Sequence, residues 1–162
     1  MEEEQVDPLV NPPTLATRVC SRLTEFGVEY LVIGGIACVL HGYVRATTDV
    51  DILIERSTEN ADRLLEALRG LGWGFAQEWH AEEVLARPIT VIGDDPHVDI
   101  FTVAWSVKYD QAIARLSIVT VEGVDIPLIG IDDLIATKQT ARPLDAADVE
   151  ALEQIRRICG ER

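Results

Sequence analysis

The chain has little cysteine, few aromatic residues, a deficit of positive charge and no long apolar run. Its three cysteines, Cys20, Cys38 and Cys159, are scattered and lack paired spacing. That pattern argues against a disulfide framework and fits buried free thiols in a reducing cytoplasm. No stretch of about twenty apolar residues exists to cross a bilayer, and the opening Met1-Glu2-Glu3-Glu4 is the opposite of a secretory signal. A cytoplasmic location is therefore expected. With 14 Lys and Arg against 28 Asp and Glu, the formal charge is −14. Loose electrostatic binding to nucleic acid or to an anionic membrane needs basic surface and is disfavoured. An enzyme that grips one RNA end at a local basic patch stays open. Divalent cations would be welcome on such a surface, although solubility explains the charge equally well.

What the chain does have is apolar content, 48% of 162 residues. That is enough for one domain with a proper core, residues 13–162, behind an acidic tail, residues 1–12. The rest is organised around Tyr30 to Glu55. The apolar run Tyr30–Ile33, bounded by Gly34-Gly35, predicts a buried strand ending in a tight turn. Ile36–Leu40 predicts a short helix, and Asp49–Ile54 a second strand. Side chains alternate along a strand, so Asp49 and Asp51 share one face while Val50 and Ile52 point to the core. Two carboxylates are then fixed beside a glycine turn with free amides, a plausible setting for a metal ion and a phosphate.

Elsewhere, Leu15, Val19, Leu23 and Phe26 space out one face of a helix ending near Gly27. Ser57-Thr58-Glu59 caps a helix through Arg69, and Trp73–Ala86 gives a loop or weak strand followed by a short helix. Ile89–Ile92 and Val98–Thr102 flank Gly93-Asp94-Asp95-Pro96 and predict a hairpin, in which Asp99 faces opposite to Val98 and Ile100. Lys108–Arg115 predicts a short helix, and Ser117–Val121 with Val124–Ile129 a second hairpin. Helices follow from Ile131 to about Thr140 and from Asp145 to Ile158, with a break at Pro143. The expected fold is mixed α/β (α+β), a mostly antiparallel sheet flanked by helices with a helical C-terminus.

Carboxylates two apart on a strand have Cα atoms roughly 6.5 Å apart and can converge on one cation. An acid from a neighbouring strand would complete a site for hard cations such as Mg²⁺, and two such ions about 4 Å apart can serve a triphosphate. Gly34-Gly35, Asp49-x-Asp51 and the separate Val98-Asp99-Ile100 together resemble the polymerase-beta-like nucleotidyltransferase superfamily. The finer pattern, with His41-Gly42 and Arg45-x-Thr47-x-Asp49-x-Asp51, is similar to small bacterial members, including the abortive-infection toxin-like nucleotidyltransferases. The segment from Pro127 to Leu152 extends the likeness through Lys138, Arg142, Asp145 and Asp148.

The resemblance implies a nucleoside triphosphate donor, two Mg²⁺ ions, and a hydroxyl acceptor that could be an antibiotic, a tRNA end or a protein side chain. It implies that Gly34 and Gly35 hold the triphosphate through backbone amides. Asp49 and Asp51 would ligate both metals, while Asp99 would bind the catalytic metal and help deprotonate the acceptor. Arg45 and Thr47 would join the nucleotide-binding set with Lys138, which would touch phosphates or base. Relatives often carry Ser where Gly35 stands, and their Arg-x-Lys-Asp reads Arg142-Pro143-Leu144-Asp145 here.

Plainer roles exist for each feature. Arg45 could pair with Asp49 or Asp51, and His41 could pack or cap. Lys138 and Arg142, four apart, could share a solvated helix face or pair with Asp133 or Asp145. Asp145 and Asp148 could enrich a helix's first turn, and Trp73, Trp79 and Trp105 could be core or rim packing, with base stacking by one of them the alternative. A non-catalytic nucleotide- or partner-binding module, such as a toxin–antitoxin component, is the second reading of the whole.

Overall fold

Two of the most apolar short runs in the chain form the middle of the sheet. Strand β1 (Tyr30–Ile33) is buried at every position, and β2 (Val50–Ile54) at every position except Asp51. The computed structural model describes residues 12–160; the acidic tail lies outside the described residues, apart from its last position. Six strands lie in the order β3 (Ile89–Ile92), β4 (Val98–Phe101), β2, β1, β6 (Val124–Leu128), β5 (Ser117–Val121). The β1–β2, β3–β4 and β5–β6 pairs are antiparallel, and β2–β4 and β1–β6 are parallel. Continuous apolar runs belong to strands covered on both faces, whereas the outer strands alternate or stay exposed.

Helices close over the sheet. In α1 (Pro12–Glu25), Leu15, Val19 and Leu23 are fully buried, and this helix lies against β6, α2 (Gly34–Leu40) and α3 (Thr58–Arg69). In α3 the Ser57 side chain accepts a hydrogen bond from the Asn60 amide, so the cap is formed as its sequence predicts. Asn60, fully buried, ties the Glu29 and Glu55 backbones together. That clamp aligns the entry of β1 with the exit of β2. The remaining helices are α4 (Ala81–Leu85), α5 (Tyr109–Ala112), α6 (Ile131–Thr137) and α7 (Pro143–Gly160). No helix of the described residues is long and apolar enough to cross a membrane.

Several expectations are corrected. Asp49 precedes β2 instead of beginning it. The glycines 34 and 35 are the first residues of α2 itself. In residues 73–86 the expected short helix is α4, and of the two alternatives before it the strand is not formed: a 3-10 turn, Phe75–Glu78, stands there. Helix α6 stops at Thr137, so Lys138 and Arg142 do not share a helix face. Pro143 opens α7 instead of merely interrupting the chain, because a first-turn proline has no amide to lose. Cys20 and Cys38 are buried, but Cys159 is exposed.

Candidate active site

The parallel pairing of β2 with β4 sets Asp51 directly across from Asp99. Register partners in a parallel pair share a face about 4.8 Å apart, so the carboxylates are neighbours on one surface. Their backbones are held by the fully buried flanks Val50, Ile52 and Ile100. Removing one such side chain typically costs about 2–5 kcal/mol, so the acids ride on a rigid part of the molecule. Asp49 adds a third carboxylate one residue before β2, with an oxygen accepting from the Thr48 hydroxyl at 3.1 Å.

His97 completes the cluster, and sequence reasoning passed over it. It lies two residues before Asp99, which puts both side chains on the same face; that spacing was the available signal. His97 Nε2 is 2.9 Å from Asp99 Oδ1, and Nδ1 is 3.9 Å from Asp49 Oδ1. An ionised carboxylate only accepts, so the imidazole donates to Asp99. One ligand atom each from Asp49, His97 and Asp99 lie within 4.8 Å of one another. Asp51 sits beside this trio, and burial, then the charge of Asp99 and a hydrogen bond with it, push its carboxyl up to about 7. Among the described residues, Asp49, Asp51 and Asp99 have no Lys or Arg ion-pair partner. A group of carboxylates held this close without basic partners is short of positive charge, and its oxygen donors suit a hard divalent cation.

Gly34 is fitted to Asp51. Its φ is +69°, and a Cβ there would run into the Asp51 carboxyl group. At Gly35 a Cβ would lie 2.7 Å from Thr47 Oγ1 and 3.0 Å from an Arg45 nitrogen, so Thr47 and Arg45 fill the space a larger residue would take. The residue before α2, Ile33, offers no side-chain cap.

The remaining basic residues do not reach the three acids. Arg45 binds Asp148, with Nη2 donating to Oδ2 at 3.1 Å, not Asp49 or Asp51. Its Nε lies 3.1 Å from Asp148 Oδ1 but too poorly aligned for a hydrogen bond, so that contact is purely Coulombic. Lys138 is buried, with Nζ 2.8 Å from Asp148 Oδ2 and 3.7 Å from Asp145 Oδ1. Asp145 also accepts from Thr140 at 2.5 Å. Asp145 and Asp148 are therefore buried ion-pair partners and not surface charges at a helix start. His41 Nε2 meets the Ile129 carbonyl at 2.7 Å, a packing role as its plainer reading had it. Trp73 and Trp105 are exposed, at 73% and 63%, so neither is core.

Two adjoining cavities of about 200 and 380 Å³ open beside the acids and share Gly35, Arg45, Asp51, Phe101, Arg142 and Leu144. Lys138 and Trp105 line the first, and Thr47, Asp49 and Asp99 the second. A cavity of about 480 Å³ at the far ends of β2 and β4, lined by Arg56, Arg87 and Tyr109 among others, touches none of the acids.

The architecture has solved counterparts. An antigenic nucleotidyltransferase-like protein from Paracoccidioides brasiliensis superposes with a TM-score of 0.60 at 17% identity, over 90% of this chain and 78% of that one. A Thermotoga maritima protein described as a candidate nucleotidyltransferase gives 0.49 at 16% identity, over 90% of each chain. At such identity the first shows the fold alone, and the second carries no argument. No curated protein matches. Residues 14–162, nearly the whole chain, match one family, and the chain belongs to it: the nucleotidyl transferase family of unknown function, DUF2204.

Proposed function

We propose that this protein transfers a nucleoside monophosphate from a nucleoside triphosphate to a hydroxyl of an acceptor, using divalent metal, most simply two Mg²⁺ ions. The observation that carries the reading is the set of Asp49, Asp51 and Asp99 beside Gly34, with no Lys or Arg ion-pair partner among the described residues. Family membership supports nucleotidyl transfer in general. Bound metal would supply charge neutralisation on the triphosphate and on the departing pyrophosphate.

The chain's own residues take the other roles. Asp49, Asp51 and Asp99 hold the cations. His97 donates to one oxygen of Asp99, leaving its other oxygen to take the acceptor's proton. The freed hydroxyl oxygen bonds to the α-phosphorus as the bond to pyrophosphate breaks. The Gly34 and Gly35 amides receive phosphate oxygens, and Thr47, whose hydroxyl donates to the Asp49 carbonyl at 3.5 Å, flanks Gly35 and would turn that long hydrogen bond toward a phosphate. Lys138 has three N–H donors; two face Asp145 and Asp148, which leaves one for a phosphate or base. Arg45 acts from the same cavity wall, chiefly by positioning.

The test is incubation with Mg²⁺ and labelled nucleoside triphosphates against tRNA, aminoglycosides and the protein itself. Pyrophosphate release that disappears in Asp49→Asn and Asp51→Asn is expected. Nucleotide binding with no release for any acceptor would favour a binding module, such as a toxin–antitoxin component.

A further inference from the structure

Trp105 sits where a tryptophan is costly and unsupported. It follows buried Ala104 in a tight turn closed by reciprocal backbone hydrogen bonds, Ala104 N to Val107 O at 2.9 Å and Val107 N to Ala104 O at 3.0 Å. Trp105 is the first of the two central residues, with φ +57°. Glycine is the usual residue for a positive φ at that position of a two-residue turn, and a bulky side chain there is an outlier. Such outliers persist where the surroundings hold them and concentrate at functional sites. Here the surroundings do hold it, since Ala104 and Val107 are 4% and 5% exposed and pin the turn to the core.

The strain is not compensated by packing, since the indole is 63% exposed. The other exposed tryptophan, Trp73, has the Phe75 ring 5.7 Å away. Trp105 has no aromatic or cationic ring partner among the described residues. What it does have is a place on the wall of the cavity that Gly34, Asp51 and Lys138 also line, with Phe101 and half-exposed Leu144 adding apolar surface. A rigidly presented, solvent-open indole beside a phosphate- and metal-type site is a stacking platform, because every nucleobase has a π-face.

We propose that Trp105 stacks on the base of the bound nucleoside triphosphate, so that the cavity it lines is the nucleobase subsite. The inference rests on the nucleotidyl-transfer reading above. Stacking without edge contacts discriminates little between bases, so the larger purines bind tighter than pyrimidines only through overlap area.

The experiment is a binding titration with Mg²⁺-nucleoside triphosphate and, in parallel, Mg²⁺-tripolyphosphate, which keeps the phosphates and lacks the base. Wild-type protein should show quenched tryptophan emission with the nucleotide and not with tripolyphosphate. Trp105→Phe should lose the quench although Trp73 and Trp79 remain, yet keep most of the affinity. Trp105→Ala should bind the nucleotide about tenfold more weakly, the lower end of what stacking contributes per base, and bind tripolyphosphate unchanged. Equal nucleotide affinity in wild type and Trp105→Ala overturns the inference and leaves the proposed function standing. So does a loss that tripolyphosphate shares equally, since that marks a folding or phosphate effect. A wild-type protein that binds no nucleoside triphosphate removes both.

Discussion

Asp51 and Asp99 are register partners on adjacent parallel strands, two carboxylates one cross-strand step apart with no lysine or arginine between them. Folding places this pair on the sheet, and the pair opposes folding when both members are charged.

The first prediction follows from the sign of that effect. The Asp51 carboxyl rises from 3.8 to about 7 on folding, so the unfolded chain ionises first. The metal-free protein should therefore lose stability as pH rises from about 4 to about 7. Asp51→Asn should stabilise the metal-free protein by up to about 4 kcal/mol at pH near 8 and by nothing below pH near 4. Saturating Mg²⁺ should erase the advantage. Urea denaturation at the two pH values measures it, and a pH-independent difference would contradict it.

Gly34 and Gly123 separate strain from fit. Both have positive φ, +69° and +79°, but a Cβ would meet Asp51 at the first and nothing within 4 Å at the second. Gly123→Ala should cost only the backbone penalty, about 1–2 kcal/mol. Gly34→Ala should cost at least about 3 kcal/mol, adding the displacement of a packed group. Equal losses by thermal unfolding would mean that Asp51 can step aside freely.

Asp148 is the hinge of the buried ion network. Fully buried, it serves both Arg45 and Lys138, so Asp148→Ala strips Arg45 of its carboxylate and leaves Lys138 with only the longer contact to Asp145, and should cost about 3–5 kcal/mol. Lys138→Met leaves Asp148 still paired with Arg45 and should cost less. Arg142→Ala, whose side chain is 73% exposed and 3.8 Å from Asp145, should stay within about 0.5 kcal/mol. The ranking, read from denaturation midpoints, is the check.

His97 orients Asp99. Hydrogen-bond partners of ligating carboxylates typically matter by 10- to 100-fold, so His97→Ala should weaken Mn²⁺ binding by about tenfold, while unfolding stability changes by less than about 1 kcal/mol. Unchanged Mn²⁺ affinity would make His97 a bystander.

Local chemistry made much of this visible in the sequence. Alternation against buried Val50 and Ile52 oriented Asp51, although Asp49 proved to precede the strand, and the Val98-Asp99-Ile100 sandwich oriented Asp99, because a strand with one buried flank has only one workable register. Long-range pairing was not visible. No local pattern says that β4 lies parallel to β2, or that Arg45 crosses 103 residues to meet Asp148. A charge at a helix start looks the same whether solvated or buried, so Asp145 and Asp148 read as surface acids until packing is known. The positive φ of Trp105 was hidden for a related reason: nothing in Ala104-Trp105-Ser106-Val107 carries the glycine that such a turn normally displays.

Nucleotidyl transfer at this site needs a cation held by the carboxylate cluster, and Mn²⁺ titration followed by electron paramagnetic resonance, with a non-hydrolysable nucleoside triphosphate present, measures it directly. Wild-type protein should take up Mn²⁺ saturably, and the Asp51→Asn/Asp99→Asn double variant should bind about 100-fold more weakly while remaining folded. Equal Mn²⁺ uptake by both proteins, or none by the wild type, would contradict it.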